Sequence, residues 1–395
     1  MTKNLCIFPF KYCITFLFTL SLILGILYKE LDYNLMGPIV ISILSIFLLV
    51  YLSKNPLQKI KYIILATAIF YLGGMRHKQQ HENYKLFFDK INNKTLDITT
   101  TINDIKPIEG KRYNFSILGK IKQAKNSTNK LKMKMGDKNL KIYTKTKPKI
   151  NIGDTIIIKN LKLKAPKNNS FIKHLMKENI AITLFANKLD YEVIRKPKYS
   201  VQKWIFTKRN QLFCNIKSKM PPITFGIFSS IFLGSKNIGK KSLEKLKLRF
   251  KNWGILHFLA RSGLHLIIFL LLCEFILKYI PLYFVAKQLI LITIGIIYLF
   301  LSWPSLSFIR AFGAFLFYKI SPILNRKPDL PYIIMLICFA MLLYNPIYLF
   351  FLDFQLSFGL TFALSFFNQA RAQKRTEHTL SHKNNQISAQ QNYQI

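Results

Sequence analysis

The chain has 395 residues, 51% of them hydrophobic, and a formal net charge of +41. That combination excludes an ordinary soluble domain with its charge spread evenly, because a core of that size and a charge of that magnitude compete for the same surface. The conflict resolves by segregation: residues 12–75 and 256–367 are dominated by Ile, Leu and Phe, whereas 76–209 carry 32 Lys/Arg against 10 Asp/Glu, a local net charge of +22.

A helix needs roughly 20 apolar residues to cross a bilayer. Tyr12–Tyr28 is near that length and reads as an uncleaved first span, since no small-residue cleavage site precedes Glu30 and Asp32. Leu35–Leu52 gives a second span, and Ile60–Gly74 a shorter third, closed by Gly73-Gly74. Lys3 and Lys11 precede the first span and Lys54, Lys59 and Lys61 separate the second from the third. The positive-inside rule then places the N-terminus in the cytoplasm and residues 76–198 outside it.

The basic middle reads as β. The runs Leu96–Ile102, Tyr113–Ile121, Leu140–Tyr143, Thr155–Leu163 and Ala181–Phe185 are short and rich in Ile, Thr and Tyr, with Gly, Asn, Lys and Pro clusters between them. Lys130–Met135 alternates and predicts another strand or hairpin arm, and Gly153-Asp154 marks a tight turn. Five or so short strands in about 100 residues suggest a small closed β-barrel, the oligonucleotide-binding (OB-like) type being one form. With few aromatics on these strands, the sequence shows no strong base-stacking platform.

Residues 199–255 form an amphipathic linker in which Trp204, Phe206 and Phe213 alternate with Lys203, Lys208 and Arg209. Ile223–Leu233 is too short to span. Apolar segments resume at His257–Tyr279, Leu282–Trp303, Leu306–Ser321, Pro331–Tyr344 and Ile347–Phe367, and 368–395 read as a disordered polar tail. The expected fold class is thus a polytopic α-helical membrane protein with an inserted small β-barrel outside the cytoplasm.

Ionisable residues inside apolar segments cost about 2.5–3.5 kcal/mol or more on insertion and call for a reason. His257, Arg261 and His265 recur at i, i+4, i+8 on one helix stripe; Ser262 and Gly263 either let another backbone approach closely or break the helix inside the membrane, exposing amides that must line a cavity or pair elsewhere. Two readings stand: a polar path or anion-contacting site, or a helix end whose His257 and Arg261 reach the headgroups. Arg310, Asp353 and Gln355 interrupt later segments, either lining an aqueous cavity or bonding internally; for Gln355 the internal role is preferred. The five cysteines form no CxxC pair, and His81 and His174 stand alone in polar sequence, so no metal site, cofactor or catalytic residue is expected. No HExxH, GxSxG or P-loop pattern occurs.

The segment His257-Phe-Leu-Ala-Arg-Ser-Gly-Leu-His265 resembles the core motif of the ComEC-type competence proteins, whose usual form is His-Leu-Leu-Ala-Ile-Ser-Gly-Leu-His. Phe232-Leu-Gly234, Arg310 with Ala311, Asn345-Pro346 and Phe354-Gln-Leu-Ser-Phe358 are similar to further elements of that family, in family order. The resemblance implies a channel component in the cytoplasmic membrane that passes single-stranded DNA inward during natural transformation. It implies that His257, His265 and Arg310 belong to the channel core. Arg261 departs from the pattern by replacing an apolar residue. Full-length members continue with further spans and often a metallo-β-lactamase-like domain; these 395 residues carry neither, so no nuclease activity is assigned. Single-stranded DNA, anionic lipid headgroups, and a separately encoded C-terminal part or a second copy are the expected partners. A structural membrane protein with an anion-binding domain, and a membrane enzyme acting on a phosphorylated or lipidic substrate, are the alternatives.

Overall fold

The structure, a computed structural model, describes residues 10–30, 56–91, 94–107, 113–126, 132–133, 138–146, 148–163, 166, 168–187, 190–195, 201–233, 248–254, 263–302, 305–365, 367–368 and 371. The expected second span Leu35–Leu52, the motif residues His257, Arg261 and Ser262, and nearly all of the tail lie outside these residues. The chain divides into two compact units, residues 1–77 with 313–395, and residues 78–312.

In the first unit, α1 (Phe10–Glu30) packs on α2 (Pro56–Ile91). Leu17 and Ala66 are buried, with Phe18, Leu24, Tyr62 and Ile63 against them. Gly25 makes the approach close, since a Cβ there would lie 2.0 Å from the Phe70 carbonyl oxygen. Gly73-Gly74, expected to close a helix, instead lies inside α2, which runs on to Ile91. The reason is packing. A Cβ on Gly73 would lie 2.8 Å from the Leu22 carbonyl oxygen, and one on Gly74 3.0 Å from the Lys29 side chain. These glycines admit a neighbouring helix rather than stop their own, as small residues do at close helix crossings.

The second unit contains the sheet: β1 (Thr95–Pro107), β2 (Phe115–Asn126), β3 (Lys132–Met133), β4 (Asn139–Thr144), β5 (Thr155–Lys162), β6 (Ile180–Ala186) and β7 (Glu192–Arg195). The five expected strands are all present and Lys132–Met133 is the short extra one. Strand order is β6-β4-β2-β1-β5-β7, with β3 on β2. The outermost strands each bond to one neighbour, so this is an open sheet, and the expected closed, OB-like barrel is not formed. Closure would need β6 and β7 to exchange hydrogen bonds. Instead β6 runs parallel to β4, and four-residue β7 pairs antiparallel with β5.

Alternation along the strands builds one buried face from Ile98, Ile102, Ile117, Ile121, Leu140, Ile142, Ile156 and Ile158. The turn before β5 is held by the buried Asp154, whose Oδ2 accepts from the Asn151 N–H at 2.8 Å, while Gly153 takes φ +89°. The short helix α3 (Asn169–Lys177), capped by Asn168, buries Leu175 and Met176. It follows a Lys-Ala-Pro-Lys stretch and has barely two turns of amphipathic pattern, too little for a periodicity argument. Helix α4 (Val201–Lys219) supplies Arg209, which donates to Asp104 of β1 at 3.1 Å with both side chains largely covered.

α5 (Pro222–Phe228) leads into a π-helical turn at Ser229–Leu233. α6 (Gly263–Lys278), α7 (Phe284–Leu301), α8 (Leu306–Ile323) and α9 (Leu330–Tyr344) follow, with a 3-10 turn at Pro346–Phe350 and a helix over 352–365. α2 and α8 each pass from one unit to the other.

Among the described residues, α7 and α8 are long and apolar enough to cross a membrane. That overturns the polytopic bundle expected from hydropathy. α9 has 15 residues and is ended by Asn345-Pro346, Ile347–Phe367 is broken into a 3-10 turn and a helix, and of the expected span His257–Tyr279 the described residues hold α6 from Gly263 on. Only 22% of α7 and 17% of α8 are buried inside the protein, so their apolar surfaces face outward, as in a membrane-associated protein rather than in a soluble core.

Candidate functional site

The expected site residues fall into both units. In the second unit, α6, described from Gly263 on, crosses α8 at that residue. A Cβ on Gly263 would lie 2.5 Å from Ala311 Cβ and 3.1 Å from the Ser307 carbonyl oxygen. Two residues on, the His265 ring meets Phe232 edge-on at 6.2 Å between centroids. The carbonyl of Phe232 accepts from the Tyr298 hydroxyl at 2.7 Å, so the π-turn leaves a backbone acceptor for a side chain of α7. Tyr298 packs on Phe269 at 4.9 Å and on the fully buried Phe308 at 5.6 Å. Arg310 is half-buried on α8 between Ile309 and Ala311, beside this contact in sequence. The structure thus gathers Gly263, His265, Phe232, Tyr298 and Ala311 around one helix crossing with a polar edge.

Asp353 and Gln355 belong to the first unit. Both are exposed on the helix over 352–365, and Gln355 Nε2 donates to the Leu349 carbonyl at 2.8 Å, tying that helix to the 3-10 turn before it. Asn345 Oδ1 accepts from the Ile347 N–H at 3.2 Å and starts the same turn. Phe354 and Phe358, four apart on one face, are buried with centroids 4.6 Å apart. In this motif the aromatic pair packs and the amide fixes the backbone.

Residues 239–391 match the Competence protein family model. The match covers less than half of the chain, and it contains every expected site residue from His257 to Gln355 but none of the sheet. No curated protein and no solved structure matches. The matched region begins beyond α5 and includes α6 to α9.

Sequence reasoning did not find three polar features. In the first unit His77, 2% exposed, pairs with Glu30 at 2.8 Å, its ring 5.5 Å from Phe350, and Arg76 donates to the Leu343 carbonyl. Lys319 is buried on α8. In the sheet unit, Lys138 places its ammonium 4.1 Å from the centroid of Tyr84 and 4.4 Å from that of Phe87 on α2, and donates to the Asn83 carbonyl at 3.3 Å. No local pattern marks partners 47 or more residues apart.

Burial pulls the Lys138 amine down to about 8, while the two ring faces favour the cation and oppose that shift. Burial also pushes the Tyr84 phenol up. For Lys141 burial works downward, but the Glu178 carboxylate at 2.6 Å outweighs it and holds the ammonium above its ordinary value. The Lys138 shift has a definite sign in stability. Between pH 8 and 10.5 the unfolded chain holds a proton that the folded one has lost, so stability rises with pH across that window. Relative to Lys138→Met, the native chain is expected to gain about 1 kcal/mol there, after allowance for solvent screening of a half-exposed group. Thermal melting of both chains at pH 7 and pH 10 measures it; a pH-independent difference rules the shift out.

Proposed function

We propose that this protein is a membrane component of the competence machinery that receives single-stranded DNA on its basic sheet domain and conducts it past the Gly263–His265–Arg310 region. The family match over 239–391 carries this reading. It is supported by two outward-facing apolar helices and by a charge of +22 over residues 76–209, which suits a polyanion. The lysines flanking the N-terminal apolar segments favour a cytoplasmic N-terminus with residues 76–198 on the opposite side, where an incoming strand arrives. His257, Arg261, Ser262, Gly263, His265 and Arg310 belong to the conducting region, while Asp353 and Gln355 shape the following helix. The chain acts without hydrolysing the strand, alongside anionic lipid headgroups and with a separately encoded channel part or a second copy of itself.

Uptake of labelled DNA by cells carrying Arg310→Ala or His265→Ala is expected to fall at least tenfold with the protein still present in the membrane. Unchanged uptake in both removes those side chains from the path. A salt series of oligonucleotide binding to the full chain tests the receiving role: affinity must fall steeply from 50 to 200 mM salt.

A further inference from the structure

We infer that Tyr113, Tyr143 and Phe185 form a base-stacking platform for single-stranded nucleic acid on the β2–β4–β6 end of the sheet; this deepens the receiving role proposed above and rests on it. The three rings come from positions 30 and 42 residues apart in sequence and are joined by strand register. Tyr143 of β4 is the parallel partner of Phe185 of β6, and the Asn114 N–H bonds to the Thr144 carbonyl, setting Tyr113 beside them. Tyr143 and Phe185 stack at 5.1 Å with 8° between planes, and Tyr113 lies 5.6 Å from Phe185 and 6.4 Å from Tyr143.

The rings stand on the face opposite Leu140 and Ile142, which are fully buried. Phe185 is nonetheless 59% exposed, so a phenyl face is held rigidly towards solvent on an edge strand. An exposed ring already stacked on one side presents a flat apolar surface at little further entropic cost. The surroundings select the ligand. Lys141, two residues before Tyr143 on the same strand face and ion-paired with Glu178, lies 5.8 Å from its ring centroid; Lys145, directly after β4, is exposed, and so is Lys120, on β2 opposite Asn139. A planar apolar ring next to phosphates meets both requirements, as in single-strand binders that combine aromatic stacking with a basic track. A duplex keeps its base faces stacked inside and cannot offer them to Phe185. A sugar polymer would use the rings but not the lysines.

The experiment uses the full chain in detergent micelles with two fluorescent probes of equal length, an oligothymidylate and an abasic strand with the same phosphates. Tyr143→Ala and Phe185→Leu are each expected to weaken oligothymidylate binding about tenfold, the worth of one stacked base. Abasic binding should change less than about twofold, and Phe185→Trp should keep wild-type affinity. Equal loss on both probes from Phe185→Leu, which alters an exposed side chain, overturns the platform, as does no loss on oligothymidylate. Preferential binding of a neutral oligosaccharide over oligothymidylate overturns it as well. If the wild-type chain binds both probes and the variants match it, the platform fails alone; if it binds neither, the receiving role fails with it.

Discussion

Replacing Gly25 by alanine is expected to separate α1 from α2 and to cost about 3 kcal/mol, the upper part of the usual range for overpacking. The added methyl would sit 2.0 Å from the Phe70 carbonyl oxygen, and a backbone atom of a long helix cannot rotate away as a side chain can. The loss should therefore resist rescue by any side-chain change around it. Gly359, in the helix over 352–365, has nothing within 4 Å of its added Cβ. Gly359→Ala should be neutral or stabilising by up to about 1 kcal/mol, through helix propensity alone. Thermal melting in detergent compares the two. Equal midpoints for Gly25→Ala and Gly359→Ala would remove the close crossing from the account.

The crossing of α6 and α8 makes the opposite prediction about rescue. At Gly263 the nearest obstacle is a side-chain atom, Ala311 Cβ at 2.5 Å. Gly263→Ala should cost about 2 kcal/mol, read by thermal melting in detergent. Adding Ala311→Gly removes that atom, at about 1 kcal/mol of helix propensity. The double variant should then be less impaired than the sum of the singles, by about 1 kcal/mol or more. Additive losses would show that the two helices do not meet there. The Ser307 carbonyl at 3.1 Å keeps the rescue incomplete.

Both tests turn on glycines whose residue type was visible in the sequence and whose function was not equally so. Ser262-Gly263 had two readings in the sequence, a close backbone approach or a helix break, and at Gly263 the contact with α8 is the close approach. Gly73-Gly74 carried the same composition and pointed to a helix end, since glycine is a stop signal by local rules. Only the position of α1 decides between the two meanings.

The strands were legible for a related reason. Alternation of Ile with polar residues reports a two-sided ribbon whatever its partners, so Leu140–Tyr143 and Thr155–Leu163 were found nearly in place. Strand order is not local, and barrel closure depends on whether the outermost strands meet. The parallel pairing of β4 with β6 leaves them as separate edges. The aromatic platform escaped for the same reason: three rings on three separate segments look like few aromatics until register sets them side by side.

The sequence by itself determined the segregation of apolar and basic residues, the existence of every strand but β7 and of most helices, and the order of the motif residues from Gly263 to Phe358. Each follows from short-range periodicity or from the cost of putting charge into hydrocarbon. The tertiary structure alone decided that the sheet stays open, that Gly73-Gly74 continues a helix, that Glu30 meets His77, and that Tyr113, Tyr143 and Phe185 share one face. Those contacts join residues far apart in the chain, and their energies depend on distances that no local pattern encodes.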